Sequence, residues 1–425
     1  MKIAFLLHNA YAIGGTIRTT LNLAAALCDR HEVEIASMMR HREQPRFAVD
    51  PRVTLVPLVD TRVGRGDAER PEFHEPAEDF PAQDKRHHQY SRLVDLRARE
   101  YLKGCDADVI FGTRPGVNVY LSLFGPPTAL RIAQEHLRHD AHGKELRGVL
   151  ARHYRTLDAL VTMTEADAVA YRSRMRLPGV PVVPVPNIVP APRGVVPSDG
   201  SAKVIAAAGR LARGKRFDLL IEAFGKVAGE QPDWQLRIYG GGAQQERLQQ
   251  LVDARELGGR AVLMGPRSPI EPEFAKASLV VSASDAESFG MTLVEAMRCG
   301  VPVISTDCPL GPAEIISDGV DGRLVPVGDA PALAAAMLDL IGDGSGRRAM
   351  GSAALESARR FDPGPIVTRY ESLFAELGTS RGRRYRRRTR ARYAASLRRR
   401  LRRPARQVRR WRKRLTTRLR AWRAA

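Results

Sequence analysis

One pattern constrains this chain more than any other: an apolar run, a turn and an amphipathic helix, repeated along most of its length. Lys2–Leu7 is a short apolar run, and Gly14-Gly15 follows in a loop. Residues 19–27 then carry Leu21, Leu23, Ala24 and Leu27 at helical spacing, and 33–37 and 53–58 read as the next strands. Runs at 109–112, 129–134 and 159–164 continue the series. After a Pro-punctuated stretch and a linker at 190–200, the rhythm restarts at 203–208 and persists to about residue 360. Strands alternating with helices predict parallel sheets covered on both faces. A chain of 425 residues is too long for one ordinary domain. The expected fold class is therefore α/β, with two Rossmann-like doubly wound domains facing a cleft.

The expected division is an N-terminal domain over 1–190, a C-terminal domain over 201–365, a crossover helix over 366–378 and an Arg-rich tail over 379–425. Residues 61–95 interrupt the pattern with proline and mixed charge, and they predict a mobile polar loop. No run reaches the roughly 18 apolar residues of a membrane span. The apolar start is too short for a secretory leader. Four cysteines without metal-ligand spacing suit reduced thiols in a cytoplasmic protein. The net charge of +21 is local: residues 381–425 hold 22 Lys and Arg and no acid, leaving 46 basic against 47 acidic residues elsewhere. Body and tail thus need separate explanations.

Ligands of such sheets bind at the carboxyl ends of the strands, where loops expose backbone N–H groups. Gly15 lies in the first of these loops, although no full G-x-G-x-x-G is present and a plain tight turn reads as well. Arg210 and Lys215 flank the loop after the 203–208 strand, where two cations suit a diphosphate leaving group; two solvated loop cations are the equal alternative. The stretch Glu287-Ser288-Phe289-Gly290-Met291-Thr292-Leu293-Val294-Glu295 is the most informative. Its two carboxylates span a loop-to-helix junction and suit vicinal sugar hydroxyls. The N–H groups around Thr292 and Leu293 suit a phosphate, and Phe289-Gly290 allows close backbone approach.

Gly209-Arg210-Leu211 with Lys215, Glu287 and Glu295 around Ser288-Phe289-Gly290, and Gly311-Pro312-x-Glu314-Ile315-Ile316 together resemble the family 4 retaining glycosyltransferases, over about residues 1–375. The resemblance extends to relatives that glycosylate poly(glycerol-phosphate) or teichoic-type polymers. It implies the GT-B fold. It implies that Glu295 holds the nucleotide ribose, that Arg210 and Lys215 hold the diphosphate and that Gly15 closes on the phosphates. Glu287 would sit by the transferred sugar, with amides near Phe289 and Gly290 on its hydroxyls. His136 matches the position of a family histidine after a first-domain strand, with His139 as a neighbour that invites confusion. The catalytic pair is thus expected to be His136 and Glu287, and the donor site Gly15, Arg210, Lys215, Phe289, Gly290, Thr292, Leu293 and Glu295. Ser288 and Thr16 depart from common family residues.

The expected reaction moves a hexose-type sugar from a nucleotide diphosphate sugar, a UDP-sugar first, to an acceptor hydroxyl with retention. No cofactor and no metal is expected. Asp106-Ala107-Asp108 spells a D-x-D but precedes its strand, which suits a turn. The expected acceptor is a cell-envelope glycan, glycolipid or anionic polymer. Beyond Pro404, Val408, Trp411, Leu415, Leu419 and Trp422 recur at helical spacing amid arginines. Such a basic helix suits an anionic membrane surface, which places the enzyme at the inner face of the membrane, with no specific nucleic acid as partner. Two rivals stand beside this reading: a sugar-nucleotide epimerase of the same fold, and a non-catalytic protein that binds anionic polymer or nucleic acid through the tail.

Overall fold

The computed structural model describes residues 1–379. Seven strands make the first sheet: β1 (Lys2–Leu7), β2 (Glu32–Ser37), β3 (Thr54–Pro57), β4 (Val109–Gly112), β5 (Leu130–Glu135), β6 (Ala159–Thr162) and β7 (Val182–Pro184). Six make the second: β8 (Val204–Ala208), β9 (Gln235–Tyr239), β10 (Ala261–Gly265), β11 (Leu279–Ser282), β12 (Val303–Thr306) and β13 (Gly322–Val325). Every pairing is parallel. The orders are β3-β2-β1-β4-β5-β6-β7 and β10-β9-β8-β11-β12-β13. Strand order therefore reverses between β1 and β4 and between β8 and β11. A doubly wound sheet opens a ligand crevice at that reversal, outside the carboxyl ends of its strands.

The central strands are apolar on both faces because helices cover both. Ile3, Phe5 and Leu6 of β1 and Val109, Ile110 and Phe111 of β4 are fully buried. Phe5 and Phe111 stack across the β1–β4 pair with centroids 4.8 Å apart. Burial of each such side chain contributes about 1.5–3 kcal/mol. The second sheet has a core of its own around Leu220, Phe224, Leu236, Ile304, Leu333 and Met337. Both sheets lie in one unit, Met1–Ser372. Within it, the part of the helix Pro363–Thr379 up to Ser372 returns to the first sheet. The Tyr370 hydroxyl takes a hydrogen bond from Gln134 at 2.7 Å, and Glu371 pairs with Arg30 at 2.7 Å and lies 3.1 Å from His31.

The segment expected to be a mobile loop over 61–95 is instead packed. A helix over Arg92–Gly104 begins inside it, preceded by single turns at Pro71–His74 and His87–Gln89. Phe80, 1% exposed, stacks on Tyr90 at 3.6 Å. It sits so close to Gly116 that a Cβ there would come within 2.0 Å of the ring. Buried Asp95 accepts the N–H groups of Glu78 (2.7 Å) and Asp79 (3.0 Å) and also takes the Tyr120 hydroxyl at 2.5 Å. Two aromatic rings and one carboxylate thus anchor a stretch whose composition is that of a loop. The tail, including Trp411, Leu415, Leu419 and Trp422, lies outside the described residues.

Candidate active site

The carboxyl ends of β1, β4 and β5 form one wall of the cleft. His8 follows β1, Arg114 lies two residues beyond β4 and His136 follows β5; strand register sets them side by side. Burial, with Arg114 adding, lowers the His136 imidazole to about 4, and its Nε2 is buried without a partner. His136 is therefore a neutral hydrogen-bonding group near pH 7. Burial, then Arg114 and Arg86, lowers His8 to about 3, and its Nδ1 lies 2.8 Å from the Tyr90 hydroxyl. His139 is placed apart from this edge. Its ring packs edge-on against Tyr171 at 5.0 Å.

Beneath His136 lies a polar network that the sequence did not announce. Fully buried Glu135 takes the Tyr154 hydroxyl and the Asn118 amide at 3.3 Å, and its Oε2 lies 3.4 Å from His142 Nε2. Burial opposes charge on His142, but the hydrogen bond and charge of Glu135 raise its pKa overall. This network fixes the end of β5 and with it the position of His136.

The opposite wall is formed by the loops after β8 and β11. Lys215 Nζ lies 2.5 Å from Glu287 Oε1, which also accepts the Ser284 hydroxyl at 2.7 Å. The two loops are stitched together by Asp285 N–H to Gly214 O at 3.0 Å and by Arg216 to Asp285 at 3.1 Å. The loop that carries exposed Arg210 is pinned by Leu211 N–H to Gly241 O, also 3.0 Å. Glycine at 290 is required locally: its φ is 108°, a left-handed conformation that bends the chain into the helix Met291–Met297. The Phe289 ring turns inward against Phe361, so only its backbone remains for a ligand. Leu293 is likewise buried, and its N–H donates to Gly290 O at 3.0 Å, not into the cleft as the sequence suggested.

Glu295 is not open to the cleft as simply as its spacing implied. Arg18, on the helix Gly15–Leu27, reaches it at 3.4 Å and also bonds Glu271. Burial raises the Glu295 carboxyl to about 7; Arg18 pulls it down and Glu271 pushes it up. A ribose at Glu295 would share that carboxylate with Arg18. Gly15 opens the same helix, exposed, and a Cβ there would meet nothing within 4 Å. Glu314 makes a second bridge, accepting the N–H groups of Glu165 (2.9 Å) and Ala166 (2.8 Å) at the start of the helix Glu165–Arg174. Neither Arg18 nor Glu271 was singled out in the sequence. The partner of each lies on another element, so spacing alone gave no signal.

Asp106 and Asp108 sit at the opposite, amino-end edge of β4, where both are held by Lys2, at 2.6 and 3.0 Å. Among the described residues no three His, Cys, Asp or Glu side chains gather as a metal site. No described helix is long and apolar enough to cross a membrane.

With this geometry in hand, three comparisons are informative. Residues 191–357 match the family model described as "Glycosyl transferases group 1". An exopolysaccharide phosphotransferase of Streptomyces coelicolor is 35% identical over 397 residues, which cover 90% of this chain and 41% of that protein. A poly(glycerol-phosphate) alpha-glucosyltransferase of Bacillus subtilis is 30% identical over 166 residues, 39% of this chain and 24% of that one. The chain thus spans less than half the length of either. A crystal structure of S. aureus TarM with UDP and alpha-GlcNAc-glycerol superposes with a TM-score of 0.70 at 15% identity, covering 88% of this chain and 99% of that one. That likeness is one of fold, and it agrees with two parallel sheets whose strand ends face a common cleft. The chain has the GT-B fold, and its residues 191–357 carry the pattern of the group 1 glycosyltransferases.

Proposed function

We propose that this protein transfers a hexose unit from a nucleotide diphosphate sugar to an acceptor hydroxyl with retention of configuration. The carrying observation is the Lys215–Glu287 contact, held between two loops at the reversal point of the second sheet. Arg210 and Lys215 neutralise the diphosphate as the bond from the sugar C1 to its oxygen breaks. Glu287, released from Lys215 as the phosphates arrive, accepts sugar hydroxyls. Neutral His136 donates or accepts one hydrogen bond at the reacting centre. The acceptor oxygen bonds to C1, and its proton passes to the leaving diphosphate. Catalysis is then positional and electrostatic, and no residue of this chain has to form a covalent bond. Glu295 takes the ribose hydroxyls, with Gly15 beside the phosphates.

The acceptor in this reading is a cell-envelope glycan, glycolipid or anionic polymer, in keeping with the relatives' printed activities. The Arg-rich tail holds the enzyme at the inner face of an anionic membrane. Sedimentation of the full chain with vesicles containing phosphatidylglycerol, but not with neutral vesicles, is expected.

The phosphotransferase relative favours one rival, transfer of a sugar phosphate. A panel of UDP-, GDP-, ADP- and CDP-sugars separates the two. Glycosyl transfer or slow hydrolysis releases the nucleoside diphosphate, whereas sugar-phosphate transfer releases the monophosphate. Binding of none of these donors to folded protein would sink both.

A further inference from the structure

The first-sheet wall carries positive charge for which the protein supplies little compensation. Residues 61–91, which separate β3 from the helix Arg92–Gly104, fold over the ends of β1 and β4. Asp84 ties this cover down: its Oδ1 accepts the Arg86 N–H at 2.9 Å and lies 3.9 Å from the Arg114 guanidinium. The Arg86 side chain is held by a neutral amide, Gln89, at 3.2 Å. Arg86 is partly buried, and Arg114 and Arg210 act on it as like charges while Asp84 opposes them. The histidines at this edge add no charge near pH 7, because both are held neutral. Two arginines therefore lie at this edge with one carboxylate, which meets the Arg114 guanidinium and the Arg86 backbone. Like charges brought together at a partly buried edge repel, and a protein gains from such an arrangement when an anion enters it.

A cavity of about 340 Å³ opens in the same cover, with Met39, Phe73, His74, His87, Gln89 and Tyr90 in its lining. It has aromatic and polar walls, a combination that suits a sugar or polyol. Gln89 and Tyr90 connect it to the cationic edge, since Gln89 also holds Arg86 and Tyr90 also meets His8. Through these two residues the cavity adjoins the guanidinium pair at the edge of the first sheet.

We propose that Arg86 and Arg114 form an acceptor subsite that grips a phosphate group carried by the acceptor, while the adjoining cavity takes the sugar or polyol unit attached to it. The proposal rests on the transferase reading and deepens it: the substrate class is a phosphorylated polyol or saccharide. Planar guanidinium forks match phosphate oxygens two at a time, and this makes the subsite selective as well as attractive. Asp84 acts as a positioning residue that holds both arginines in place.

Inorganic phosphate, titrated by calorimetry into the full-length protein saturated with UDP, tests this. UDP fills the donor's phosphate site, so the remaining phosphate reports the second one. Arg86→Gln and Arg114→Gln are each expected to weaken phosphate binding about tenfold, and Arg86→Lys less, with UDP affinity unchanged. The arginines beyond residue 380 are common to all variants, so only the differences count. The Arg86 variants keep the test valid if Arg114→Gln fails to fold. Three results overturn the subsite: phosphate binding unchanged in the Gln variants, no phosphate binding to the parent protein, or a loss confined to UDP, which would assign the arginines to the donor. Failure of UDP, GDP, ADP and CDP alike to bind would instead remove the transferase reading, and titration of the nucleotide-free protein would still report the subsite.

Discussion

The two walls of the cleft stand on the same parallel-sheet plan and hold their polar groups differently. On the second-sheet wall two cations are paired, Lys215 with Glu287 and Arg216 with Asp285, and Arg210 is exposed. On the first-sheet wall the groups at the strand ends are neutral imidazoles and two guanidinium groups, Arg114 beside Asp84 and Arg86 bonded to the neutral Gln89. Paired loops keep cations in place for a ligand that will compete for them. An unpaired edge keeps its field for a ligand that brings its own charge. Chemistry is thereby expected to depend mostly on the second wall, and the choice of acceptor on the first.

The sharpest way to break that division is Glu287→Ala. Loss of a group at the transferred sugar is expected to lower kcat by about 10²–10³-fold, with little change in Tm. Unaltered turnover in steady-state donor kinetics would move the chemistry away from this wall. Next in size is Asp95→Ala, which unties the cover of the first wall. A buried carboxylate that serves two N–H groups and a hydroxyl is expected to cost about 2–3 kcal/mol on urea unfolding. Proteolytic cleavage should then concentrate in residues 76–91, and donor affinity should hold if the two walls are independent.

Glu295 sharpens the comparison through pH. Its carboxyl is raised to about 7, by burial first. Ionised above that value it accepts ribose hydroxyls, so nucleotide affinity is expected to rise about tenfold from pH 6 to pH 8. Glu295→Gln should bind weakly and flatten the profile. The same shift acts on the fold in the opposite direction. A carboxyl that holds its proton more tightly when folded loses stabilisation as pH rises from about 4.5 to about 7. A dependence that persists in Glu295→Gln belongs to another group. The smallest effect is expected from Glu314→Ala, which removes the acceptor for two N–H groups at a helix start. About 1 kcal/mol of thermal stability should be lost, with kcat changed severalfold at most.

The legible part of this protein is the part set by short-range chemistry. Alternating apolar runs and amphipathic helices announced both sheets, because a strand buried on both faces needs a continuous apolar run and a helix needs an apolar stripe. Arg210, Lys215, Glu287 and Gly290 lie in the loops that follow β8 and β11, as their spacing from the apolar runs implied, because loop position follows from strand position. The register of β5 put His136 at the edge and left His139 in the core, a distinction that the two neighbouring histidines only half disclosed.

Composition read 61–95 as a loop because its polar and proline content is that of a loop. Its packing is decided by Phe80 settling on Gly116 and by Asp95 accepting two distant N–H groups, contacts that no local window contains. The Arg18 contact with Glu271 joins residues 253 positions apart, and Glu314 reaches the Glu165 N–H across 149. The sequence by itself determined which residues lie at the strand ends. Only the tertiary structure decided which of them meet, because an ion pair across a cleft depends on the relative placement of two sheets, and the local periodicity of either one carries no record of it.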